Sequence, residues 1–171
     1  MAEAERGSAP IEVFFAYSHR DENLRDELAT HLSSLKRQGL IKEWHDGRIG
    51  PGAQWGKAID EHLNEAHIIL LLISADFIAS DYCYGIEVKR ALERHERGVA
   101  RVIPIILRPC DWTALPFGML QALPKDGKPV TNWANQDEAF TEIARGIRVT
   151  VENIVSPARK PGSPAVVAPI T

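Results

Sequence analysis

The hydrophobic pattern in the first part of the chain alternates between short apolar runs, typical of buried strands, and the helical spacing of about 3.6 residues. Residues 11–16 are apolar and rich in β-branched and aromatic side chains, which predicts a buried strand. Leucines at helical spacing then predict a helix over residues 21–37. A short second strand is predicted over residues 40–44 and a second helix over residues 55–66. This part of the chain is therefore expected to run strand, helix, strand, helix.

The second part of the chain continues the alternation. Residues 67–74 form an almost continuous apolar run, which is typical of a strand that is buried on both faces of a parallel sheet. A helix is predicted over residues 86–95, starting a few residues earlier, then a buried strand over 101–107 and a last helix over 136–151. The apolar face of that last helix consists of Phe140, Ile143, Ala144 and Ile147.

Alternating strands and helices predict an α/β fold, because right-handed crossovers place helices on both faces of a parallel sheet. We expect a single flavodoxin-like domain with a five-stranded parallel sheet in the order 2-1-3-4-5, its fifth strand near Val130. In this architecture ligands bind at the carboxyl ends of the strands, near the switch point between strands one and three. The important loops are then residues 17–19, 45–54 and 74–83.

The two ends of the chain differ from the middle in composition. Residues 1–10 are short, polar and acidic, and we predict a disordered leader there without the layout of a signal peptide. Residues 156–171 contain four prolines and no helical or strand period, which predicts a tail or linker. The folded domain is therefore expected over residues 11–155, with a further domain possible beyond the tail.

Charge and cysteine content narrow the function classes. The net charge is −3, which argues against a nucleic-acid backbone as the main partner. The longest apolar run, residues 68–73, is too short to span a bilayer, so no membrane partner is expected. Cys83 and Cys110 form neither a disulfide framework nor a metal pair, which indicates a cytoplasmic setting. His62 and His67 lie on different predicted elements without a suitably spaced carboxylate, so no metal site is expected.

Three motifs in the predicted loops carry a family resemblance. Residues 13–22 combine an apolar strand with a serine-containing turn and an acidic helix start. Residues 46–52 form a glycine-rich loop with a Pro-Gly pair. Residues 68–74 are followed by Phe77, Ser80, Cys83 and Glu87. Together the motifs resemble the TIR domain, bacterial type, and its NAD⁺-cleaving members, from about Ile11 to Val151.

The resemblance implies that Glu87 is the catalytic carboxylate of an NAD⁺ glycohydrolase. Nicotinamide is a cationic leaving group that departs neutral, so positive charge builds on the ribose, where a fixed carboxylate can stabilise it. The products would be nicotinamide and ADP-ribose or a cyclic isomer, with NAD⁺ as substrate and no cofactor. On the residues alone, a surface glutamate paired with Lys89 or Arg90 is the competing interpretation.

The other positions implied by the resemblance surround this glutamate. Many NAD⁺-cleaving relatives have tryptophan four residues before it, where this chain has Cys83 between two tyrosines, one of which is expected to supply the aromatic surface instead. Ser18 would either meet a phosphate or cap the following helix, a role that Asp21 could also fill. The full set of predicted substrate-binding residues is Phe15, Ala16, Tyr17, Ser18, Asp46, Arg48, Trp55, Ser80, Tyr82, Cys83 and Tyr84.

The glycine-rich loop is expected to serve assembly. Its glycines permit close backbone approach, and Arg48 could meet a phosphate or a carboxylate of a neighbouring chain. The resemblance implies activation by TIR–TIR assembly into a homo-oligomer or filament, in bacterial antiviral defence or signalling, with a possible C-terminal sensor domain. The residues predicted for assembly are Gly47, Ile49, Gly50, Pro51 and Gly52.

Two functions of different class remain. One is the enzyme, and the other is a non-catalytic TIR–TIR interaction module, which the presence of Glu87 disfavours because scaffolding members generally lack it. A phospho-receiver is disfavoured because strand one ends in Ala16-Tyr17-Ser18 rather than an acidic cluster. A glycosyl- or deoxyribosyltransferase of related fold would also use a glutamate and stays open.

Overall fold

A computed structural model of the chain describes residues 9–45, 61–80, 85 and 88–155, with the backbone alone at 43–45. The first strand, β1, covers Ile11–Ala16. A 3-10 turn at His19–Asp21 leads into α1 (Glu22–His31) and then α2 (Ser33–Arg37). The second strand, β2, covers Ile41–His45. Residues 61–65 are helical, as predicted for the end of the second helix.

The remaining elements lie after this helical segment. β3 covers Ile68–Ile73 and is followed by a short helix, α3 (Ala75–Ala79). α4 covers Val88–Glu96 and β4 covers Arg101–Ile106. The last helix, α5, covers Gln136–Val155 and is longer than the predicted 136–151.

The sheet confirms the predicted α/β architecture. It is parallel, with the order β2-β1-β3-β4, so the chain turns to opposite sides of β1 for its second and third strands. The switch point therefore lies between β1 and β3, as expected for a doubly wound fold. All six residues of β3 are buried, as the continuous apolar run predicted.

Two apolar clusters lie on opposite faces of this sheet. Alternate residues of β1 divide between them, because side chains of a strand point to opposite faces. One cluster joins Val13 and Phe15 to α1, α2 and α5, and the other joins Phe14 and Ala16 to α3 and α4. The predicted face of the last helix is confirmed, with Phe140, Ile143 and Ile147 fully buried and Ala144 packed against them.

The predicted fifth strand at Val130 is wrong. The described residues form a sheet of four strands, and Val130–Asn132 is a 3-10 turn whose first residue is nonetheless buried. Leu123 pairs with β4 through an isolated bridge to Ile105, and the N–H of Thr131 donates to Leu107 O at 3.1 Å. Pro124 follows Leu123 and Pro129 directly precedes Val130. Proline has no N–H to donate to a strand ladder, so neither position extends the sheet.

Two helix predictions also need correction. The helix predicted over 21–37 is divided at Leu32, where ψ is 2°, and the serines that follow favour local hydrogen bonds over a continuous helix. The loop predicted over 74–83 contains α3, whose N-cap Ser74 accepts a hydrogen bond from the N–H of Phe77 at 3.1 Å. None of the helices in the described ranges combines the length and apolar character needed to cross a bilayer.

Candidate functional site

Three loops meet at the carboxyl edge of the sheet, where the topology places the switch point. The turn at residues 17–21 follows β1, Ser74 follows β3, and Arg108 lies two residues after β4. Because parallel strands end at the same edge, polar side chains from three separate parts of the sequence come together here. This edge is the candidate functional site.

A buried carboxylate joins these loops. Asp21 is 1% exposed, and the Ser74 hydroxyl donates a short hydrogen bond to its Oδ2. Its Oδ1 accepts from Arg108 Nε at 2.9 Å and lies 2.8 Å from Arg108 Nη2. A buried carboxylate is stable when its charge is paired and its oxygens accept hydrogen bonds, and Asp21 has both.

Arg108 extends this network to α3. Its Nη2 also donates to Asp76 Oδ2, and Asp76 Oδ1 lies 3.6 Å from Arg20 Nε. The hydrogen bond to Asp76 raises the pKa of the Arg108 guanidinium above its usual value, Asp21 raises it further, and partial burial opposes both. Arg108 therefore stays charged and links the turn after β1 to the start of α3.

Asp21 does not cap α1 through its side chain. It occupies the N-cap position of that helix but makes no side-chain capping bond, since its carboxylate faces Ser74 and Arg108. Ser18 caps the 3-10 turn instead, where its hydroxyl accepts from the N–H of Arg20 at 3.2 Å. The capping prediction is correct for Ser18 at this turn.

The guanidinium of Arg25 packs against the ring of Tyr17 next to this turn. Tyr17 is 2% exposed, and the guanidinium carbon of Arg25 lies 4.9 Å from the centre of its ring. Arg25 is itself buried and pairs with Asp26 at 2.9 Å. Such a cation–π contact fixes the position of Tyr17 at the end of β1.

The predicted site residues in the described ranges have different environments. Phe15 and Ala16 are buried in the two apolar clusters, which leaves their main chain rather than their side chains for contact with a ligand. Ser18 is half-buried in the turn after β1. Ser80 ends α3 and is half-buried, with its N–H bonded to Phe77 O at 3.1 Å.

The other predicted positions lie outside the described residues, and their roles stay predictions. They are Glu87, Asp46, Arg48, Trp55, Tyr82, Cys83, Tyr84, Gly47, Ile49, Gly50, Pro51 and Gly52. Lys89 and Arg90 of α4 line a surface depression of about 420 Å³ with Gly85 and Glu93. Arg90 donates a hydrogen bond to Asn64 at 3.1 Å.

Two side-chain groups were absent from the sequence-based site. The network of Asp21, Asp76 and Arg108 was missed, although an arginine two residues after a buried strand is a signal for the carboxyl edge. At the opposite end of β1, the structure brings Glu12 and Glu65 close to His62. The premise that no carboxylate is suitably spaced for His62 is therefore wrong, because Glu65 lies three residues after His62 and the fold adds Glu12, which is distant in sequence.

A family model and a curated protein both match most of this chain. The family model described as "TIR domain" matches residues 13–144. An uncharacterized protein, y4lF, of Sinorhizobium fredii (strain NBRC 101917 / NGR234) is 57% identical over 156 residues. That alignment covers 91% of this chain and 48% of the relative, so the chain spans about half of the relative's length.

Two solved structures are similar to this chain. The TIR domain of the Toll-related receptor TRR-2 from Hydra magnipapillata is 21% identical with a TM-score of 0.59, over 82% of this chain and 98% of that domain. The TIR domains of the activated Roq1 resistosome, which recognises the effector XopQ, are 17% identical with a TM-score of 0.49, over 85% and 77% of the two chains. The first of these likenesses concerns the fold alone.

Because the family model covers most of the folded region, the chain belongs to the TIR domain family.

Proposed function

We propose that this TIR domain is an NAD⁺ glycohydrolase and that Glu87 is its catalytic carboxylate. The observation that carries the proposal is family membership combined with a glutamate that directly precedes α4 in the sequence, in the connection between α3 and α4. Dinucleotides and other ligands bind at the switch points of doubly wound folds.

The reaction needs a site that stabilises a ribosyl cation. The bond between ribose C1′ and the nicotinamide nitrogen breaks, and its electron pair leaves with nicotinamide, which becomes neutral. Positive charge develops on the ribose, and the Glu87 carboxylate stabilises it. Water then attacks C1′ and releases a proton to give ADP-ribose, or an internal nucleophile gives a cyclic isomer.

The described residues support this proposal because hydrogen bonds and ion pairs connect the loops at the carboxyl edge. Arg108 bridges Asp21 of the turn after β1 and Asp76 of α3, while Ser74 connects Asp21 to the N-terminus of that helix. A reaction site needs ligand-binding groups held within a fraction of an ångström, and such networks provide that support. We expect the turn at Ser18 to contact the dinucleotide.

The proposal includes assembly and a cytoplasmic setting. Residues 46–52 of one copy would contact the site of the next, with bacterial defence or signalling as the context. The curated relative is about twice as long as the match, which leaves room there for another domain such as a sensor. Activity of the isolated domain should therefore increase when copies are brought together.

Nicotinamide release from NAD⁺ is the direct test. The purified domain is assayed at high concentration and on a multimerising scaffold, with Glu87→Gln as the test variant. We expect wild-type turnover and a loss of at least about 100-fold in kcat for Glu87→Gln, because the variant keeps the shape but removes the charge.

Glu96→Gln is the matched control, since Glu96 is an exposed carboxylate at the end of α4. It should retain wild-type activity, and circular dichroism should show both variants folded. A wild-type domain that is inert even when clustered would favour the interaction module. Full activity of Glu87→Gln would remove Glu87 from the mechanism.

A further inference from the structure

Three metal-ligand side chains come together at the amino edge of the sheet, the end opposite to the candidate site. Glu12 belongs to β1, and His62 and Glu65 belong to the helical segment 61–65. One donor atom from each lies within 4.8 Å of the others. We propose that Glu12, His62 and Glu65 bind a divalent transition-metal ion of the zinc class.

The spacing explains why two of these groups face the same point. His62 and Glu65 are three residues apart, and side chains at this separation lie on one face of a helix. Glu12 is supplied by β1, whose carbonyl oxygen at the same residue accepts a hydrogen bond from His67 N at 2.8 Å. The site therefore joins the first strand to the helix that precedes β3.

Hydrogen bonds hold the backbone around the three donors. Arg94 Nη1 donates to the carbonyl oxygens of Leu63 at 2.8 Å and Ala66 at 2.5 Å, so the end of the helical segment is tied to α4. The N–H of Glu12 donates to His67 Nδ1 at 3.0 Å, which occupies that imidazole nitrogen and excludes it as a ligand. Ligands on rigid elements bind metal with less ordering cost.

The donor set indicates the class of metal. Two carboxylates at this separation repel each other, and a cation between them removes that repulsion. An imidazole nitrogen with carboxylate oxygens suits zinc, whereas calcium and magnesium prefer oxygen ligands alone. Donors on a tetrahedral zinc ion at about 2.0–2.2 Å are roughly 3.3–3.6 Å apart, so small side-chain rotations close the site.

The test uses the tag-free protein after treatment with a chelator. Zn²⁺ binding is measured by isothermal titration calorimetry, and Co²⁺ is used as a spectroscopic probe of coordination by visible absorption. We expect one equivalent of either metal and a rise in the unfolding temperature with Zn²⁺, since a ligand that binds only the folded state stabilises it.

Glu65→Gln and Glu61→Gln form a matched pair. Both residues are exposed on the same helical segment, and only Glu65 belongs to the cluster, so each variant removes one charge. Glu65→Gln should weaken Zn²⁺ binding at least tenfold, and Glu61→Gln should bind like the wild type. His62→Gln should lose the Co²⁺ absorption bands.

Two results would overturn the proposal. The first is the absence of metal binding by the wild type at micromolar Zn²⁺. The second is equal affinity of Glu65→Gln and Glu61→Gln, which would assign the binding to other histidines or cysteines of the chain. Neither result depends on whether the domain cleaves NAD⁺.

Discussion

At the scale of single residues, Asp21 and Arg108 determine how the carboxyl edge is held. Asp21 is fully buried and accepts from both Ser74 and Arg108, whereas Asp76 is one-third exposed and shares the same guanidinium. The two carboxylates therefore differ in the cost of losing charge. A buried pair that loses one partner leaves an uncompensated group, while a solvated pair contributes little.

This difference predicts unequal effects of two similar substitutions. Asp21→Asn should lower the free energy of unfolding by about 2 kcal/mol, because Arg108 and Ser74 lose a charged buried acceptor. Asp76→Asn should lower it by less than about 1 kcal/mol. Urea denaturation of both variants checks this. Equal costs would mean that the burial of Asp21 has no energetic consequence.

At the scale of elements, Arg94 connects α4 to the helical segment before β3. Its guanidinium bonds to the carbonyl oxygens of Leu63 and Ala66, and to that of Val99 at 3.4 Å. Burial lowers the pKa of Arg94 from its usual value, and Arg97 adds to the effect. The final carbonyl groups of a helix need such donors, because they have no partner within the helix.

Removal of this arginine should loosen one helix end. Arg94→Gln should lower the free energy of unfolding by about 1–3 kcal/mol and speed amide exchange within residues 61–66, since charged hydrogen bonds to carbonyls are lost. Arg97→Gln removes an exposed charge from the same part of the chain and should leave exchange unchanged. Denaturation and hydrogen exchange measure both effects, and equal exchange in the two variants would contradict this role.

Strands with long apolar runs were predictable from the sequence, whereas short helices and turns were not. The strands at 11–16, 68–73 and 101–106 were predicted from apolar runs, because burial on both faces leaves few polar residues in them. The division at Leu32 and the turn at Val130 were missed, since local backbone preferences outweighed the hydrophobic period there. α3 was missed because five residues are too few to show a period.

The side-chain clusters were predictable only in part. The sequence placed Ser18 at the carboxyl edge because the end of β1 is marked by the change from apolar to polar residues. The sequence did not predict the contact between Asp21 and Arg108, which are 87 positions apart. It also did not predict that Glu12 lies close to the helix at 61–65. Contacts over such separations depend on how the strands and helices are ordered in space, and near-continuous apolar runs such as residues 68–73 do not specify that order.

At the scale of the whole molecule, the two ends of the sheet have different chemistry. The carboxyl edge has the network of Asp21, Asp76 and Arg108 beside the switch point. The amino edge has Glu12, His62 and Glu65. The buried strands between these edges separate them, so a change at the amino edge should alter stability without changing the chemistry proposed for Glu87.

Assembly provides the last prediction, which depends on the proposed function. If the loop of one copy completes the site of its neighbour, Glu87→Gln and Arg48→Glu should each be inactive alone but active when mixed. Random head-to-tail pairing of a 1:1 mixture should restore about a quarter of wild-type nicotinamide release. The control replaces the Arg48→Glu chain with the double variant, which should restore none. A mixture that stays inactive, while clustered wild type turns over, would mean that the loop acts within its own chain.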